Sequence, residues 1–111
     1  MNIVYHTESA SGPWLKFSLA EQLGNVGSEV GRAAMFQGKD EARFRVCVDR
    51  ALELFDMTME DPRWRARLFE IARARELFCQ AAAGENAYST TLRDLEQYFL
   101  PFAFAARRNL S

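Results

Sequence analysis

Asn25, Glu29, Arg32, Asp56 and Arg75 are the side chains that a helical fold could gather into one polar cluster. Asn25, Ser28, Glu29 and Arg32 recur at helical spacing and make a second stripe beside an apolar one, with Glu29 directly before the core candidate Val30. Arg75 falls at an apolar seam position further along the chain. A guanidinium in an interior needs a carboxylate, because an uncompensated buried charge costs several kcal/mol. Glu29 and Asp56 are the expected partners. Gathered in one pocket, the five groups could bind a small polar ligand or support acid–base chemistry. As a plain ion pair they would fix the register of the helices instead.

Other chemistries find less support. The single histidine, His6, lies in the N-terminal segment, and Cys47 and Cys79 both sit inside apolar helical patterns. A His–Cys nucleophile pair is therefore not expected, and no catalytic residue is assigned. Metal-ligand spacing is absent: there is no paired cysteine, no second histidine and no Glu-x-x-His pair. No metal or cofactor is expected. The run Gly24-Asn25-Val26-Gly27-Ser28-Glu29-Val30-Gly31 contains the glycines of a phosphate cradle, but that mechanism needs a preceding strand and a helix N-terminus. Here the run lies inside a helix, where each glycine costs about 1 kcal/mol relative to alanine. Gly27 and Gly31 share a face, so the glycines predict a place where another helix comes close.

The elements that would hold these residues are helices. The chain has 111 residues, 49% apolar and 26% charged, with a formal net charge of −1. That is enough for one domain with a real core. The pattern predicts an all-α fold, an antiparallel four-helix bundle over residues 14–111 behind an extended N-terminal arm at 1–13. Ser18-Leu19-Ala20-Glu21 is a capping box opening a first helix that runs to about Gln37, with Gly38 as its stop. Leu19, Leu23, Val26, Val30 and Ala33 form its buried stripe. A second helix runs from about Asp40 to Met59 with Phe44, Val48, Ala51, Phe55 and Thr58 inward. Asp61-Pro62 reads as an N-cap and a first helical residue, opening a third helix to about Ala83. Its seam would be Trp64, Leu68, Ile71, Arg75, Phe78 and Ala82. The last helix opens near Ser89 or Thr90 with Leu92, Leu95, Phe99 and Phe102 on one face; Pro101 should kink it or end its first part at Leu100.

Charge is divided by helix. Residues 40–61 carry seven acids against three arginines, while 62–83 carry five arginines against two acids, which predicts complementary antiparallel neighbours. Arg63, Arg65, Arg67, Arg73 and Arg75, with Trp64, could face phosphate or RNA, but they point around the helix rather than along one stripe. The net charge argues against bulk electrostatic binding of nucleic acid. No uncharged run is long enough to span a bilayer. The cysteines read as reduced core residues of a cytoplasmic protein with no membrane association. Tyr98-Phe99-Leu100-Pro101-Phe102-Ala103-Phe104 has more bulky apolar side chains than one helix face can bury. Tyr98, Phe99, Phe102 and Phe104 are thus the candidate interface, for a homo-oligomer or a protein partner.

The segments Ser18 to Arg32, Arg50-Ala-Leu-Glu-Leu-Phe-Asp56 and Arg73-Ala-Arg-Glu76 resemble a family of small uncharacterised microbial all-helical proteins, over about residues 14–105. More loosely the helix pattern is similar to the HEPN group, helical bundles that include RNases and partners of minimal nucleotidyltransferases. HEPN nucleases carry an arginine followed four to six residues later by a histidine, and no histidine follows any arginine here. That resemblance implies partner binding ahead of RNA cleavage. If it extended to activity on RNA or nucleotides, Glu29, Arg32 and Arg75 would line the cleft.

Overall fold

The computed structural model describes residues 12–85 and 90–110, which are all-helical with no strand among them. The order is α1 (Gly12–Lys16), α2 (Leu19–Phe36), α3 (Glu41–Glu60), a 3₁₀ segment (Pro62–Arg67), α4 (Leu68–Ala82) and α5 (Leu92–Leu110). The Cα radius of gyration, 13.6 Å, matches the roughly 13 Å of a compact chain of this length.

Local chemistry sets the helix ends. The Ser18 hydroxyl accepts from Glu21 N at 3.1 Å while the Glu21 carboxylate accepts from Ser18 N at 2.8 Å, so the capping box is complete. Asp40 caps α3 by accepting from Arg43 N at 3.1 Å. Gly38 and Gly84 follow α2 and α4 with φ of 75° and 77°, the left-handed conformation that only glycine adopts without strain.

Four expectations need correction. Gly12 and Pro13 belong to the short helix α1 rather than to an extended arm, because Trp14 is buried and docks that turn on the core; residues 1–11 lie outside the described residues. The chain after Asp61 first forms a 3₁₀ segment with Trp64 off helical geometry (φ −105°, ψ 21°), and the α-helix begins only at Leu68. The last helix begins at Leu92, two to three residues past the expected opening near Ser89 or Thr90. Thr91 caps it reciprocally with Asp94, Asp94 N donating to Thr91 Oγ1 at 3.1 Å and Thr91 N to Asp94 Oδ2 at 3.0 Å. It then continues through Pro101 without ending. Pro101 and Gln97, whose carbonyl loses its partner, are both solvent-exposed, so water can satisfy the lost bond.

Helix α2 lies at the centre, packed along both α5 and α3. Its glycines make the α5 contact possible. A Cβ placed on Gly27 would stand 2.4 Å from Phe99 Cβ, and one on Gly24 would stand 3.3 Å from Ala103 Cα. On Gly31 it would meet Glu96 Oε2 at 2.5 Å. The two helices therefore run antiparallel, and at the close range that the glycines predict. Phe55 on α3 meets Phe78 on α4 and Phe99 on α5, with ring centroids 5.8 and 5.9 Å apart. No helix among the described residues is long and apolar enough to cross a membrane.

Candidate interaction surface

The five polar residues do not meet in one pocket. Glu29 is buried and accepts from Arg32 Nη1 one turn along α2, while the Arg32 side chain reaches solvent. Burial pushes the Cys47 thiol on α3 upward, and the charge of Glu29 adds to that. Asp56 lies nine residues further along α3, about 13 Å at 1.5 Å per residue. There it takes a 2.9 Å hydrogen bond from Arg75 Nε at the solvent edge of α3 and α4. Asn25 is exposed and donates to Glu21 O within its own helix at 2.9 Å. Arg75 misses the interior because the seam of α4 runs through Ile71, Ala74, Phe78 and Ala81. Ala74 holds the position assigned to the arginine, and the Asp56 pair, being exposed, contributes about 0.2–1 kcal/mol.

Four of the five arginines in this stretch, Arg63, Arg67, Arg73 and Arg75, are tied to carboxylates. Arg67, the last residue of the 3₁₀ segment, pairs with Glu70 of α4 at 2.8 Å, and Arg73 pairs with Glu76 at 3.3 Å within α4. Arg63 is committed to a polar junction that the sequence did not reveal. Gln22, fully buried, donates from Nε2 to Trp14 O and to Asp61 Oδ2, both at 3.0 Å, and accepts from Trp64 Nε1 at 2.9 Å. Asp61 also accepts from Arg63 N, Nε and Nη2 at 3.0, 3.1 and 2.7 Å. The Arg63 hydrogen bonds, aided by Gln22, hold the Asp61 carboxyl at about 2 against the opposing effect of burial. Arg63 in turn stacks over the Trp64 ring at 4.4 Å and donates to Phe17 O at 2.7 Å. The junction ties α1 and α2 to the joint between α3 and α4. Its signal in the sequence was only Asp61-Pro62, read as a cap; Gln22 on the polar edge of an apolar stripe gave no hint of a partner 39 residues away.

The aromatic tail splits as well. Phe99 is core, 1% exposed, because α5 presents it to Gly27 and Phe55. Phe102 is half-buried against the core. Tyr98 and Phe104 remain exposed. Among the described residues the largest apolar exposure is elsewhere: Phe69 is 95% exposed, with Leu68 beside it, at the start of α4. Assigning Leu68 to the inward seam hid this pair. A stripe through Ile71, Ala74 and Phe78 leaves Phe69 on the outer face.

Helices α4 and α5 touch far less than α2 and α5 do, and a groove of about 290 Å³ opens between them. Ala74, Leu77 and Leu95 line it together with Glu70, Arg73 and Tyr98. The Tyr98 hydroxyl donates to Glu70 Oε1 at 2.6 Å across the groove. Burial first, and that carboxylate second, push the phenol up to about 12. A second groove, about 350 Å³, lies between α3 and α4 and carries Glu41, Arg45, Asp49 and Cys79 among its lining residues. Among the described residues no group of three or more His, Cys, Asp or Glu is placed to hold a metal ion. This geometry suits packing against apolar protein surface. Comparison with protein-family models, with curated proteins and with solved structures finds no match to this chain.

Proposed function

We propose that this chain is a non-catalytic helical interaction module in which α2 to α5 form a four-helix bundle, and that it self-associates through the face of α4 and α5. The observation that carries this reading is Phe69, 95% exposed on the same helix that lines the α4–α5 groove. Covering a phenylalanine side chain is worth about 1.5–3 kcal/mol. A projecting aromatic and an apolar recess on one element are what a two-fold contact uses, since each copy then offers what the other receives. The Glu70–Tyr98 bond spans the recess and holds its walls apart at a fixed distance, so the receiving surface is preformed.

Light scattering on the purified chain and on Phe69→Ser at micromolar concentration tests the proposal. The expected result is a dimer mass for the wild type and a monomer mass for the variant, with the same far-UV circular dichroism for both. A monomeric wild type sinks the self-association, and a Phe69→Ser variant that stays dimeric moves the contact to another face.

A further inference from the structure

We propose that the recess between α3 and α4 binds a small amphiphilic cation, an amine or guanidine carried on an apolar body. It lies on the α3 side of α4, away from the α4–α5 groove, and is independent of self-association. Phe44, Val48 and Leu52 of α3 and Phe78 of α4 line it, and its volume of about 350 Å³ falls in the lower range of small-molecule sites. Size also selects among occupants. Lining residues come from α4 only between Phe78 and Ala83, about 8 Å of helix at 1.5 Å per residue. A docked helix, itself about 10 Å across, would find less than two turns of wall on that side. A small molecule finds an apolar floor of sufficient length.

The preference for a cation has two sources, one on each wall. On α3, Glu41, Arg45 and Asp49 stand among the lining residues. Arg45 Nε donates to Glu41 Oε1 at 3.2 Å, so these two charges offset each other. Asp49 is exposed and has no hydrogen-bond or ion-pair partner among the described residues. On α4, the wall is the carboxyl end of the helix, through Cys79, Ala82 and Ala83. A helix C-terminus carries roughly half a negative charge, which a basic side chain in the last turn can offset. Helix α4 has no basic residue there. Gln37, which donates to Ala81 O at 3.0 Å, is neutral. Arg75, one turn before Cys79, is held by Asp56 at 2.9 Å. A cation at the mouth of the recess is thus attracted by both walls while its apolar body covers Phe44, Val48 and Leu52. An anion is repelled by both.

Three probes with one apolar body test the site: phenylbutylamine, phenylbutanol and phenylbutyrate, which at pH 7 are cationic, neutral and anionic. Chemical-shift titration of the isotope-labelled protein should give a dissociation constant of about a millimolar for the amine. The alcohol should bind roughly tenfold more weakly, and the acid weakest of all. Cys79 lines the recess and reports its occupancy: saturating amine should slow its alkylation by iodoacetamide severalfold. Asp49→Asn should weaken the amine roughly threefold and leave the alcohol unchanged. Ala83→Trp, at an exposed position, should fill the recess and abolish binding of both. Circular dichroism of each variant checks its fold. Equal binding of the three probes overturns the site, as does unchanged Cys79 alkylation with the amine present or an Asp49→Asn variant that keeps the full preference. Cys79 protection that grows with protein concentration without any amine also overturns it, since the recess is then a contact between copies. Phe69→Ser leaves this face untouched and should bind the amine as the wild type does, so failure here and failure of self-association are read separately.

Discussion

Gly27→Ala should destabilise this protein while Gly31→Ala, one turn along the same helix, should not. Both substitutions relieve a glycine in the interior of α2, a gain of about 1 kcal/mol in helix propensity. They differ in what the new methyl meets. At Gly27 the Cβ would stand 2.4 Å from Phe99 Cβ and 3.1 Å from Phe99 Cγ, where carbon atoms rest about 3.5–4.0 Å apart. Those atoms are the root of a buried side chain, so relief requires moving the α5 backbone by more than an ångström. That motion disturbs the Phe99–Phe55 ring contact and the neighbouring approach of Gly24 to Ala103. Overpacking of this kind costs about 1–3 kcal/mol, and more when backbone must shift. At Gly31 the clash is with Glu96 Oε2, the far end of a flexible side chain 28% exposed, which can swing aside and keep its exposed Arg93 partner. The propensity gain then survives largely intact.

The expected gap between the two variants is about 2–3 kcal/mol, or about 10 °C or more in melting temperature for a domain of this size. Urea unfolding followed by far-UV circular dichroism gives the midpoints, and tryptophan fluorescence from Trp14 and Trp64 checks that one transition is seen. Equal midpoints, or a Gly27→Ala variant above Gly31→Ala, would refute the close approach of α2 and α5 as the reason for the glycines.

Asp61 gives a pH-dependent test. Its carboxyl is held at about 2 rather than 3.8, so the ionised form is favoured in the folded state; the corresponding stability, about 2 kcal/mol, is present above pH 4 and lost as pH falls from about 4 toward 2. Stability of the wild type relative to Asp61→Asn should therefore be greatest near pH 7 and shrink through that window; a gap independent of pH would show that the charge is not the contributor. The two thiols should react in order: Cys79, half-buried beside the α3–α4 groove, ahead of Cys47, which is 5% exposed and has its pKa raised by burial. A thiol reagent at neutral pH followed by peptide mass analysis reads this, and equal rates would contradict the packing around Cys47.

The sequence by itself determined the helices and the stripe of α2, because capping boxes, glycine stops and helical periodicity act over a few neighbouring residues. Ser18 with Glu21 and Gly38 bound α2 in the structure as they do in the pattern. The glycine run also announced a close helix contact, since three glycines in one helix have a propensity cost that only packing offsets. Tertiary structure decided the rest. Whether the seam of α4 passes through Arg75 or Ala74 is a rotation of one residue, too small for periodicity to fix, yet it moves an arginine to the rim and Phe69 into solvent. Which carboxylate meets which guanidinium depends on the axial offset between helices, and that offset separated Glu29 from Asp56. The Gln22–Asp61–Trp64 junction joins residues about forty positions apart. No local rule carries such a contact: it exists only because α1 and α2 fold back onto the joint between α3 and α4, where burial makes every unpaired polar atom costly.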